Sequence, residues 1–253
     1  MNAPLAIFAH PGHELRILHA LGQLGASCLY LTDASGSTGT SRIPLTTDIL
    51  QKASLPDRTT FRPIRDGALY VALQSCDMRV FDRLRSDLDV VIRHEMPDFL
   101  ITDSAEGYNP AHDICHFLAL HAGDHHGVRV YDIALDGDPG DFGHAASADC
   151  IAFHLDPAEL ARKLGLIAEY IRLAGDQLAE EAEYLLSLYG KAAQADEILR
   201  PALAWADYER TFSHETPFFE THGRRRVREG KYATALTYRD HLRPVLAAMM
   251  TPA

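Results

Sequence analysis

At 253 residues the chain is long enough for one large core, or for a core domain with a helical appendage. Its 47% hydrophobic and 23% charged content excludes wholesale disorder. A formal charge of −11 argues against a nucleic-acid partner, because binding phosphates needs clustered Lys and Arg. The one dense basic run, Arg224 to Arg226 with Arg228, reads as a solvated helix face. Cys28, Cys76, Cys115 and Cys150 stand singly, so they form neither a disulfide framework nor a thiolate zinc knuckle. The apolar stretch from Leu5 to Ala9 lacks a basic leader and is too short for a signal peptide or a membrane span. Cytoplasmic residence is the expectation.

Along the first half, short apolar runs alternate with helical patterns, the signature of a parallel sheet with crossover helices. Leu5 to Ala9 reads as a buried strand and Glu14 to Leu24 as a helix stopped by Gly25. Cys28 to Leu31 is a second strand, which runs into the polar loop Asp33 to Gly39; Thr46 to Ala53 reads as a helix. No element is assigned between Phe61 and Cys76. Met78 to His94 is a helix broken at Met96-Pro97, and Phe99 to Thr102 a strand ending at Asp103. Pro110 suits a first helical turn, so a helix is expected from there to about His121, followed by a strand from Val128 to Tyr131. Beyond roughly Asp156 no further strand is expected. Leu160, Leu164, Ile167, Ile171, Ala174, Leu178, Leu185 and Leu188 step by fours and threes, a heptad stripe ending at Gly190. Such a stripe packs within its own chain or forms a dimer seam, so a homo-oligomer stays open. The expected organisation is a Rossmann-like α/β core over 1–155, with a mostly parallel sheet, and a helical extension over 156–253.

Chemistry concentrates at two strand-to-helix junctions, the edge at which open parallel sheets bind ligands. The first is Ala9-His10-Pro11-Gly12-His13-Glu14, with two histidines three apart. The second runs from Asp103 through Glu106, Tyr108, Asn109 and Pro110 to His112, Asp113 and His116. Histidines offered by two strand ends to one rim make a three-ligand site with an open position, as a catalytic zinc requires.

These segments resemble the PIG-L/LmbE-like family of metal-dependent de-N-acetylases. The family carries Ala-His-Pro-Asp-Asp-Glu after its first strand, a Thr-Asp-Gly-rich loop after its second and a later His-Pro-Asp-His. Here Ala9 to Glu14, Thr32 to Gly36 and Asn109 to His112 follow in the same order and spacing. The resemblance covers residues 3 to about 135, and Phe219 to Gly223 with Tyr238 to His241 look like the tail of a divergent branch. It implies His10, His13 and His112 as ligands of Zn2+ or another divalent metal, with His13 replacing the family's carboxylate. It also implies Gly12 at the position of the general base, and Asn109 where a histidine steadies the oxyanion. Gly12 cannot move a proton, so a base has to come from elsewhere: Glu106 first, Asp113 next, with Glu14 bracing the first helix. Arg42 stands where the family places a substrate-contacting Arg, and Asp33 and Tyr108 are further candidate substrate contacts. His116 reads as a helix-face residue, and His125, His126 and His144 carry no spacing signal. The implied activity is hydrolysis of an N-acetylated amino sugar or related small metabolite. The alternatives are a metal-binding descendant without turnover, or a metal site used for another hydrolytic or lyase reaction.

Overall fold

A computed structural model describes residues 2–55, 63–175, 183 and 186–251. The first half contains β1 (Leu5–Phe8), α1 (Leu18–Leu24), β2 (Ser27–Tyr30), α2 (Ile43–Lys52), α3 (Asp66–Ser75) and α4 (Met78–Glu95). Then come β3 (Phe99–Asp103), α5 (Pro110–His126), β4 (Arg129–Ile133), β5 (Ile151–His154), α6 (Pro157–Ala174) and β6 (Asp196–Pro201). The chain ends with α7 (Trp205–Phe212), α8 (Phe218–Arg228) and α9 (Arg243–Met250).

The six strands form one sheet in the order β2-β1-β3-β4-β6-β5. The first four are parallel, whereas β6 runs antiparallel to both β4 and β5. This is a Rossmann-like α/β fold. β1 and β2 are buried along their whole length, because helices cover both faces, and that is why they read as continuous apolar runs. Alternate residues feed opposite layers. Leu5, Ile7, Leu29 and Leu100 face a core with α3, α4, α5 and α9, while Ala6, Phe8, Cys28 and Ile101 face α1 and residues of α2. Among the described residues no helix is long and apolar enough to cross a membrane.

Four expectations are corrected. A 3-10 turn, His13–Ile17, precedes α1, so the first helix starts later than Glu14. α5 continues to His126, where Gly127 caps it. The unassigned stretch before Cys76 contains α3. Strands do not stop at Asp156, because β6 enters the sheet between β4 and β5. β6 is hard to see in sequence because it buries charge. Glu197 pairs with buried Lys163 of α6 at 2.7 Å, and Arg200 pairs with Asp132 of β4 at 2.8 Å.

The heptad stripe is also interrupted. α6 is started by a capping box, in which Asp156 accepts from Glu159 N–H and the Glu159 side chain answers. It ends at Ala174, before Gly175 at φ +99°. Leu178 and Leu185 lie outside the described residues. Leu160, Leu164, Ile167 and Ile171 are half-buried, whereas Lys163 and Tyr170 are the helix's buried residues. The helix thus packs on α2, on α1 and on the turn that carries His13.

Candidate functional site

The first parallel strand ends in a turn whose shape is set by Gly12, at φ +108° and ψ −19°, a left-handed conformation that costs glycine little. Glu14, fully buried, ties the turn down: Gly12 N–H donates to Oε2 at 2.7 Å, and Thr46 of α2 donates to Oε1 at 3.0 Å. Burial pushes its carboxyl up to about 7. Glu14 thus braces the turn before α1 against α2, rather than the first helix as expected. The turn sends His10 and His13 toward the carboxyl end of β3.

His112 arrives from the first turn of α5. Asn109 caps that helix, its Oδ1 accepting from Ala111 N–H at 2.9 Å and from the Tyr70 hydroxyl at 3.0 Å. Both bonds fall on the carbonyl end of the amide, which leaves the NH2 as the group with donors to offer. Asp113 lies below, with Gly107 N–H on Oδ1 at 3.1 Å and the Tyr208 hydroxyl on Oδ2 at 2.7 Å.

The three imidazoles converge. Ring centroids lie 5.2 Å apart for His10–His13, 5.3 Å for His10–His112 and 4.6 Å for His13–His112. One nitrogen from each falls within 4.8 Å of the other two. One nitrogen in each of two rings is hydrogen-bonded to a carboxylate. His10 Nε2 is 2.9 Å from Asp66 Oδ1, and His13 Nδ1 is 2.9 Å from both oxygens of Asp103. Asp103 also takes Ala9 N–H at 2.7 Å, and Asp66 takes the Thr32 hydroxyl at 3.3 Å. His112 Nδ1 is buried with no hydrogen-bond partner among the described residues. Burial, followed by the neighbouring imidazoles, holds His112 well below the usual imidazole range. Burial acts likewise on His13, with added repulsion from His10, Arg42 and Arg16. Neutral imidazoles keep a lone pair for a ligand. The three imidazoles, two hydrogen-bonded to carboxylates and one with an orphaned nitrogen, form a donor set that fits a borderline divalent ion.

The remaining expected residues fall into two groups. Tyr108 is at the cluster, stacked on His112 at 6.4 Å and 25° and on Phe218 of α8 at 4.8 Å and 2°. Arg42 is half-buried at the start of α2, near enough to act on His13. Asp33 closes its own loop: Oδ1 accepts from the Ser35 N–H and hydroxyl and from Asp66 N–H, which sets the start of α3. Glu106 pins the loop after β4, its two oxygens accepting from Leu135 N–H at 3.2 Å and Asp136 N–H at 3.0 Å. His116 bridges the backbone oxygens of Asp103 and Leu203 at 2.9 and 2.8 Å, away from the triad. His144 meets the Pro201 carbonyl at 2.9 Å.

Sequence reasoning missed Asp66 and Tyr170. Asp66 opens α3 and is 56 residues from His10, with no motif of its own. Tyr170 of α6 occupies the space beside Gly12: a Cβ added there would stand 2.9 Å from its Oη. Among the described residues its buried hydroxyl meets no partner of hydrogen-bond geometry, with Thr46 and Arg42 among its polar neighbours. Gly12→Asp is therefore expected to destabilise the chain by about 1–3 kcal/mol in chemical denaturation, from overpacking and from positive φ. Stability equal to wild type would show that Tyr170 gives way.

No protein-family profile matches this sequence, and no curated protein matches it significantly. Solved structures do. The A40926 pseudoaglycone deacetylase Dbv21 is 16% identical with a TM-score of 0.54, covering 79% of this chain and 96% of that one. The likeness is one of fold. A triple mutant of the deacetylase Orf2 of teicoplanin biosynthesis is 17% identical, with a TM-score of 0.51 over 79% of this chain and 97% of that one. The conserved protein TT1542 from Thermus thermophilus is 17% identical, with a TM-score of 0.53 over 80% and 95%.

Proposed function

We propose that this chain is a metal-dependent amide hydrolase of the PIG-L/LmbE-like family that removes the N-acetyl group from an amino-sugar conjugate or a related small metabolite. The observation that carries the reading is the convergence of His10, His13 and His112, with the orphaned His112 Nδ1, at the carboxyl ends of β1 and β3. The motifs Ala9 to Glu14 and Asn109 to His112 support the family, and two neighbours in fold are named as deacetylases, one of the teicoplanin biosynthetic pathway and one of A40926 pseudoaglycone.

In this reading the three histidines hold Zn2+ or a similar ion, and Asp66 and Asp103 fix the rings of His10 and His13. When bound, such an ion supplies Lewis acidity toward water and the amide carbonyl. Everything else falls to side chains. Asn109, its carbonyl end occupied, donates from Nδ2 to the oxygen that becomes negative when the amide is attacked. A carboxylate must take a proton from water and return it to the leaving amine. Glu14, Asp103 and Asp113 are inaccessible, and Glu106 has both oxygens on backbone N–H groups. Among the described residues Asp66 is the remaining carboxylate at the triad. Its side chain is 10% exposed, and its hydrogen bonds to His10 and Thr32 both fall on Oδ1. It is assigned as the base, with Glu106 as a loop anchor. Arg42 and Tyr108 line the approach for substrate.

Acetate release from an N-acetylglucosamine conjugate by the zinc-loaded chain tests the reading. Tyr170 standing where the family keeps its base favours a second one, a metal-binding descendant without turnover. A chain that binds zinc but releases no acetate from any N-acetyl amino sugar would establish that alternative.

A further inference from the structure

A second set of metal-ligating side chains lies at the other end of α5. His125 and His126 close its last turn, thirteen residues past His112, which at about 1.5 Å per residue is roughly 20 Å along the axis. Asp89 faces them from α4, the neighbouring helix. His126 Nε2 donates to Asp89 Oδ1 at 2.6 Å, and His125 Nε2 stands 3.8 Å from the same oxygen. The two rings are 5.0 Å apart and nearly perpendicular, and all three donor atoms lie within 4.8 Å of one another.

We propose that Asp89, His125 and His126 form a surface site for a borderline divalent transition ion, separate from the triad, that clamps α4 to the end of α5. Bonds of about 2.0–2.2 Å in a tetrahedron space ligand atoms by roughly 3.4 Å. The two distances to Asp89 Oδ1, 2.6 and 3.8 Å, bracket that value, so a small rotation of the exposed His125 ring and a slight shift of His126 reach it. As the ion replaces the His126–Asp89 hydrogen bond, the imidazole proton of His126 moves from Nε2 to Nδ1, which frees Nε2 as a ligand. Two imidazoles and one carboxylate select zinc-like ions over magnesium or calcium, which prefer oxygen. The carbonyl end of a 17-residue helix adds negative potential, and Asp124 adds a charge beside it. Arg93 opposes binding, since its guanidinium pairs with Asp89 Oδ2. His125 is 63% exposed, so its ring is free to approach an ion without unpacking the core.

The test uses the full chain without a tag, with the triad disabled by His13→Ala and His112→Ala, dialysed against micromolar free zinc. About one zinc per chain should remain, and millimolar magnesium should not displace it. Adding His125→Ala or His126→Ala should remove it, together with the zinc-dependent rise in melting temperature. Arg93→Ala should tighten binding several-fold by removing the competing cation. In the otherwise unaltered chain, His125→Ala should lower zinc content by one ion, which covers the case where the triad variant fails to fold. His154→Ala, at another exposed His–Asp pair, should change nothing. Zinc retained in full after His125→Ala, or lost equally after His154→Ala, would overturn the proposal.

Discussion

Replacing His112 by alanine should empty the triad of metal and lower turnover by more than a hundredfold. Loss of a residue behind a ligand already costs about 10–100-fold, and His112 is assigned as a ligand itself. The apo protein should hardly notice. His112 Nδ1 has no hydrogen bond to lose, and deleting an unsatisfied buried nitrogen removes a desolvation penalty that offsets the small cavity. Stability should therefore fall only in the presence of zinc, where wild type gains in proportion to the logarithm of ion over dissociation constant and the variant does not. Measured in a His125→Ala background, so that the exposed pair on α5 contributes nothing, zinc content should drop from about one per chain to near zero. Full zinc content in that variant would remove His112 from the ligand set. A large loss of apo stability would assign the ring a packing role.

The parallel half of the sheet was legible because its strands are buried on both faces. Leu5 to Phe8 is an unbroken apolar run, and Phe99 to Ile101 is another. The triad was legible for another reason: each histidine sits next to a strand end, and strand ends converge in this topology. β6 was not legible, because Glu197 and Arg200 are polar residues whose burial depends on Lys163 and Asp132, far away in sequence. Asp66 was missed on similar grounds. Its partners His10 and Thr32 lie on other elements, and a lone aspartate opening a helix looks like an ordinary terminal acid. The stripe from Leu160 to Leu188 shows the opposite error. Periodicity carried straight across Gly175, whose backbone ends the helix, and the face with Lys163 and Tyr170 is the buried one.

Asp66→Asn separates a base from a ring-holder. Asparagine keeps the volume and a hydrogen bond to His10 Nε2, so the triad should still load zinc. If Asp66 takes the proton, kcat of the loaded enzyme should fall by about 10²–10⁴-fold with little change in KM, since an amide accepts no proton at neutral pH. If Asp66 only orients His10, the loss should appear as a roughly 10–100-fold weaker zinc affinity, and kcat at saturating zinc should stay near wild type. Glu106→Gln supplies the contrast. Its carboxylate accepts from Leu135 and Asp136, and the amide NH2 of glutamine cannot satisfy one of those N–H groups. That variant should lose about 1–3 kcal/mol of stability while kcat is retained. The reverse pattern, with turnover lost in Glu106→Gln and kept in Asp66→Asn, would return the base to the loop after β3 and leave Asp66 as the residue that holds His10.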